Sequence, residues 1–176
     1  MKIKKIKIIE SQDVYDIEVP KYHNFALENG VIVHNCSGWS LKTLLNEGLN
    51  GVPGKISAKA PKNLSAAIGQ MVNFLGCFTE DTVIKTKEGD YTIRELLDTC
   101  RDSFDILSYD EKTNSFVEAK LKNLHKTQEN VETISLTFED GFICECTLDH
   151  KFLTENRGWV EAKDLNTEDN IIQYKE

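Results

Sequence analysis

Long apolar runs are missing from this chain of 176 residues. Its opening stretch MKIKKIKII is basic, and lysines interrupt it well short of the roughly 20 residues that a membrane span needs. It is also too short and too broken for a signal peptide, so a soluble, cytoplasmic protein without membrane partners is expected. An excess of basic residues is missing too: the formal net charge is -8. Phosphate contacts need clustered Lys and Arg, so nucleic acid is not expected as a partner. Proline is scarce, with three in all, and the five cysteines are odd in number and lack the close, even spacing of a disulfide scaffold. At least one thiol therefore stays free, and free thiols point to chemistry. The 40% hydrophobic content suffices for a modest core, in one ordinary domain or two very small ones.

What is present is unevenly distributed. Residues 1–35 have a net charge of 0, residues 36–76 of +3, and residues 77–176 of -11. This asymmetry divides the chain into three parts. The first reads as short strands: KIKKIKII and DVYDIEV alternate, Pro20 and Lys21 supply a turn, and Asn29-Gly30 before VIV is the strongest two-residue hairpin signal. The second changes period. SLKTLLNEGL places Leu41, Leu44, Leu45 and Leu49 on one helical face behind Ser40 as N-cap, and NLSAAIGQMVNFLG repeats that spacing behind Asn63. Between them, NGVPGKISAKAPK is a loop.

From Cys77 the β pattern returns in DTVIKT, DYTI, FDILSY, SFVEAKLKNL, VETISLTF, FICECTL, HKFLTE and WVEAKDL. Turn signals at Glu88-Gly89-Asp90, DEKTNS, Asp140-Gly141 and Asn156-Arg157-Gly158 separate them, and TIRELLDTC predicts one short helix. The expected fold class is thus an all-β body interrupted by a helical insert of 41 residues, 36–76.

Each border of the insert has a cysteine on its C-terminal side: Cys36 follows Asn35, and Cys77 follows Gly76. A cysteine thiol can attack the carbonyl before it and convert an amide to a thioester, provided the fold stabilises the oxyanion and protonates the departing amine. Gly76 offers little steric hindrance to attack by Cys77. The stretch CTLDHKF supplies Thr147 and His150 in a T-x-x-H arrangement able to aim a hydroxyl, backbone N–H groups and an imidazole at one point. Taken alone, T-x-x-H reads equally as an exposed strand end. At the other border Asn35 can attack its own carbonyl through its side-chain nitrogen and cut the bond to Cys36, while the adjacent His34 polarises that carbonyl or carries a proton.

These residues together resemble an intein, a self-splicing domain of the Hint superfamily, and more closely the cyanobacterial-type split inteins. VYDIEVPKYHNFALENGVIVHNC resembles the C-terminal intein piece; CFTEDTVIKTKEG, CTLDHKFLT and WVEAKDLNTEDNI resemble the N-terminal piece. The resemblance implies a horseshoe-like β fold and a division into a C-terminal piece, 1–35, an extein segment, 36–76, and an N-terminal piece, 77–176. It implies Cys77 as first intein residue, Thr147 and His150 as activators of the N-terminal junction, and Asp16 and His23 as the pair assisting the later steps. His34 and Asn35 become the last two intein residues, and Cys36 the acceptor of the acyl group. No cofactor is implied, and the process is a single-turnover autocatalysis.

The order is reversed relative to an ordinary intein, with the C-terminal piece first. The insert itself, with CSGWSL, GVPGK, the S-x-K-x-P-K run and GQMVNF, resembles a segment of anaerobic, glycyl-radical ribonucleoside-triphosphate reductases. A fragment of 41 residues cannot carry nucleotide reduction alone. The expectation is therefore trans-splicing with complementary halves on other chains. Intramolecular release of 36–76 as a ring is the alternative, and a cleavage-only or partner-binding module is the rival of another class.

Three further residue groups have plainer readings. Cys144 and Cys146 with His150 form an incomplete zinc set, so no metal is expected and both cysteines are read as packed β positions. His125 is read as a solvated strand residue, and Cys100 as a small, partly buried hydrophobe. The acid-rich third segment either is merely solvated or steers that piece toward a less acidic partner.

Overall fold

The computed structural model describes residues 1–35 and 76–175. Cys36 and the two helices expected within 40–75 lie outside the described residues. The described residues are mostly β, as the alternating patterns require, and the strands pair antiparallel. They are β1 (Ile3–Glu18), β2 (Asn24–Ala26), β3 (Ile32–His34), β4 (Phe78–Thr79), β5 (Val83–Thr86), β6 (Gly89–Thr92), β7 (Ser103–Asp110), β8 (Ser115–Phe138), β9 (Ile143–Thr147), β10 (Lys151–Thr154) and β11 (Gly158–Glu161). One short helix, α1 (Ile93–Asp98), follows β6. Thr92 caps it reciprocally: the Glu95 N–H donates to Thr92 Oγ1 at 3.1 Å, and the Thr92 N–H donates to Glu95 Oε2 at 2.8 Å.

Two sheets form. The larger has the order β1-β4-β9-β8-β7-β5-β6, with β1 also paired to β8, so that β1, β4, β9 and β8 close on one another. The smaller has the order β11-β10-β3-β2. Residues 1–35 thus contribute strands to both sheets, and every one of those strands pairs with residues from 77 onward or with a neighbour that does. The expected first and third segments form one interleaved β body. Its core is continuous across the sheets, with Phe25 against Phe78 at 5.7 Å between ring centroids and Phe138 against Phe152 at 6.3 Å.

Several local expectations are corrected. KIKKIKII and DVYDIEV are one strand, and SFVEAKLKNL and VETISLTF are one strand of 24 residues. The polar interruptions are absorbed within the ladder: register shifts occur between Ile9 and Gln12, and Asn123 and Asn130 take φ values of 50° and 54°. Asparagine tolerates the left-handed region, so the strand bends there without ending. The Asn29-Gly30 hairpin has three linking residues, because the Leu27 N–H bonds Val31 O and the Gly30 N–H bonds Leu27 O, leaving Gly30 in the left-handed position at φ 80°. Cys100 is exposed: it follows the C-cap of α1 with φ 52°, which turns its side chain outward. His125 is exposed, as read from the sequence. No helix among the described residues is long and apolar enough to cross a membrane.

One buried polar residue ties the first segment to the third. Asn24, fully buried, donates to Tyr22 O at 2.9 Å and Tyr109 O at 2.8 Å, and its Oδ1 accepts from Tyr109 N–H at 2.7 Å and Ser108 Oγ at 2.9 Å. Its hydrogen-bonding capacity is used in full. Asn24→Leu is expected to destabilise the fold by about 2–4 kcal/mol through the backbone groups it orphans. A urea unfolding midpoint within error of the parent chain would contradict this role.

Candidate active site

The two junctions meet because two ladders end at the same turn. In the larger sheet, Phe78 of β4 pairs with Cys146 of β9, so the next step sets Cys77 across from Thr147. Two hydrogen bonds join that pair: the Cys77 N–H donates to Thr147 Oγ1 at 2.9 Å, and the Thr147 N–H donates to Cys77 O at 2.9 Å. In the smaller sheet, Val33 of β3 pairs with Phe152 of β10, so two further steps set Asn35 across from His150. The turn Thr147–His150, closed by the His150 N–H to Thr147 O at 3.2 Å, carries the chain from one sheet to the other. T-x-x-H is thus the connection between the halves of the site.

At the first junction Cys77 is buried against Val14 and Val131. Thr147, buried as well, accepts from the Cys77 amide and directs its own hydroxyl proton toward Asp149, donating to Oδ1 at 2.6 Å. The Asp149 acceptor fixes the hydroxyl so that its lone pair faces the amide nitrogen, which is the leaving group of a thioester-forming step. Asp149 belongs to no motif read from the sequence; its position two residues beyond Thr147 in a turn is the signal that points to it. The antiparallel register Val14 with Thr79 and Tyr15 with Phe78 continues to place Asp16, which is buried, across from Cys77.

His150 is buried, its ring packed on Phe78 at 3.9 Å between centroids and against Phe152 at 5.7 Å. Burial holds its pKa down to about 3, the neighbouring carbonyls of Gly76 and His34 pull it upward, and the charge of His34 pushes it down further. The imidazole is therefore neutral near pH 7. Gly76 lies directly on it: a Cβ at Gly76 would come within 2.7 Å of His150 Cα and 3.0 Å of its Nδ1. Only glycine fits there without displacing the His150 backbone.

At the second junction the buried Asn35 is held by its N–H to His23 O at 2.9 Å. His23 has φ 56° and an exposed side chain, so its backbone makes this contact. His34 Nδ1 lies 2.5 Å from Asn35 O, the carbonyl of the bond to residue 36. Since a carbonyl only accepts, Nδ1 carries the proton. Burial lowers the His34 pKa, against the raising effect of the Asn35 carbonyl; Lys151 and His23 lower it and Glu111 raises it. Of the sequence-predicted residues, the structure brings together Gly76, Cys77, Thr147, His150, His34 and Asn35; Asp16 borders Cys77, and His23 acts on Asn35 through its backbone.

Cys144 and Cys146 are buried core positions, and burial pushes the Cys146 thiol well up, with the Cys144 thiol adding to it. Among the described residues no group of three or more His, Cys, Asp or Glu side chains is arranged to hold a metal.

The neutral, buried His150 makes a pH prediction. Its folded pKa of about 3 lies below the ordinary 6.5, so the unfolded chain binds a proton that the folded chain refuses between those values. That contribution to stability is present above pH 6.5 and is lost on acidification, by up to about 1.4 kcal/mol per pH unit. His150→Gln is expected to remove that slope from urea midpoints measured between pH 7 and 4; an unchanged slope would refute the neutral assignment.

Comparisons with known proteins fit this arrangement in part. The B-type DNA gyrase chain of Synechocystis sp. is 26% identical over 126 residues, which is 69% of this chain and 12% of that protein. The small chain of replication factor C from Methanocaldococcus jannaschii is 27% identical over 207 aligned positions, which is 98% of this chain and 10% of that protein. The chain spans about a tenth of the length of either relative. The sequence profile of the anaerobic ribonucleoside-triphosphate reductase family matches residues 14–83, a span that encloses the whole of 36–76 and marks it as reductase-related.

Proposed function

We propose that this chain is a self-splicing module in which residues 1–35 and 77–176 act on the segment 36–76 between them. The observation that carries this reading is His150, neutral and buried, facing the Gly76 carbonyl of one junction and the His34 carbonyl, next to Asn35, of the other. In support, one relative is a gyrase and the other a replication factor, yet each resembles this chain over only about a tenth of its length. That is the pattern of a portable unit carried within unrelated proteins.

The chemistry balances without a cofactor. The Cys77 Sγ attacks the Gly76 carbonyl carbon; a C–S bond forms, the C–N bond breaks, and the thiol proton ends on the released Cys77 amine. Hydrogen bonding at that nitrogen from the Thr147 and Asp149 pair orients it, and His150 serves as the nearby imidazole for proton transfer. The Cys36 thiol then takes the acyl group from Cys77 by thioester exchange. Asn35 Nδ2 attacks the Asn35 carbonyl carbon, closing a succinimide as the bond to Cys36 breaks and its amine is freed. His34 Nδ1–H polarises that carbonyl. Finally the Cys36 amine attacks its own thioester, leaving an amide between Gly76 and Cys36 and a free thiol.

Because residues 1–35 and 77–175 build one interleaved body, this chain's own halves are suited to release 36–76 as a ring. The reductase-family match favours a second outcome, in which complementary halves on other chains ligate 36–76 between two further pieces of a reductase. In that outcome Cys36 serves first as acyl acceptor, and any reductase activity belongs to the ligated product.

Mass spectrometry of the purified chain under reducing conditions tests the reading. Splicing predicts a ring of 36–76 from the chain alone, or ligated products once partner halves are added. Cys77→Ala is expected to abolish both products while leaving slow cleavage after Asn35, and Asn35→Ala to accumulate a hydroxylamine-sensitive branched species. An unchanged mass with no hydroxylamine-labile bond at Gly76 would overturn the proposal; hydrolysed pieces without a ring or ligated product would reduce it to cleavage alone.

A further inference from the structure

His34 touches the reaction through one atom, Nδ1, so the rotation of its ring about the side-chain bonds decides whether that atom reaches the Asn35 carbonyl. The ring is only half-buried, at the end of β3, and something other than its own strand must set its orientation. The Trp159 indole stands edge-on to it at 5.0 Å between centroids and 86° between planes. Trp159 belongs to β11, two strands from β3 across β10, and pairs with Leu153. It also packs against the small cluster of Ala26, Ile32, Tyr109 and Leu153, so the indole is seated on a wall drawn from several strands. Its far end is fastened too: the Trp159 Nε1–H donates to Glu111 Oε1 at 3.1 Å, and Glu111 directly follows β7.

Building on the splicing reading above, we propose that Trp159, anchored by Glu111, is a positioning residue that holds the His34 ring with Nδ1 on the Asn35 carbonyl and so governs the asparagine-cyclisation step. An edge-to-face pair constrains the tilt of both rings, and the indole hydrogen bond removes the rotation the indole would otherwise have. The brace crosses the division of the chain, because His34 lies in the first segment and Trp159 and Glu111 in the third. Docking of the two pieces therefore completes the second junction as well as the first. The ionisable groups acting on His34 are Lys151 from β10, His23 at the start of β2 and Glu111 after β7. Glu111 is the acidic member of that set, so it has a second effect: its charge favours the protonated imidazole.

The test separates the two junctions in the intact chain. Hydroxylamine-induced cleavage at Gly76 reports thioester formation, and release of 1–35 reports cyclisation at Asn35. Trp159→Leu is expected to slow release of 1–35 by about ten- to a hundredfold, the scale of an ångström-level misplacement, while thioester formation stays within about twofold. Trp159→Phe, which keeps an edge-on ring, is expected to recover most of the rate. Glu111→Gln, at an exposed position that leaves folding intact, is expected to shift the pH midpoint of cyclisation downward and to move the His34 imidazole resonances in the same direction by NMR.

Equal slowing of both junctions by Trp159→Leu would assign Trp159 to the fold alone and overturn the proposal. So would wild-type cyclisation in that variant, or an unmoved His34 titration in Glu111→Gln. A parent chain that reacts at neither junction would instead overturn the splicing reading, a failure visible before any variant is made.

Discussion

The structure depends on placing an uncharged imidazole where two sheets exchange a strand. β9 leaves the larger sheet at Thr147, and β10 enters the smaller one just after His150. The four-residue turn between them faces both borders of the 36–76 segment. Burying a charged histidine between Phe78 and Phe152 would cost far more than the nearby carbonyls return, so the ring stays neutral. A neutral imidazole still has one donor and one acceptor nitrogen. It is thus able to pass a proton at either junction without placing a fixed charge in the core.

The same geometry explains the small residue at one border and the amide at the other. Gly76 is required because the space a side chain would fill is already held by the His150 backbone. Asn35 is anchored through its backbone to His23 while His34 addresses its carbonyl, so its side chain works within a fixed frame. Positioning comes from ladder registers of strands far apart in sequence. Interaction energies at the reacting atoms come from single hydrogen bonds, such as those of Thr147 to Cys77 and Asp149.

How much is legible in the sequence follows from the range of each interaction. Alternation reveals the β class, because side-chain period is local. The HNC border and the TLDH turn are legible for the same reason: their residues act on near neighbours. Strand length is not, since Asn123 and Asn130 look like turn residues, and only pairing with β1 shows that the ladder runs through them. The partial burial expected of Cys100 fails because a left-handed residue after a helix cap reverses the direction that helical spacing implies. Trp159 and Glu111 are invisible as partners of His34, since 125 and 77 positions of chain separate them from it and only the fold removes that distance. The helical reading of 40–75 concerns residues outside those described.

The central claim is that a neutral His150 lies against Gly76 at one border and beside Asn35 at the other. It is tested most directly by NMR on the chain carrying Cys77→Ala and Asn35→Ala, which keeps both borders intact. Imidazole nitrogen shifts that stay those of a neutral ring down to about pH 4, with nuclear Overhauser contacts from that ring to the Gly76 α protons and to residue 35, are the predicted result. A ring that titrates near 6.5, the ordinary histidine value, or one that contacts only one of the two borders, would contradict the account.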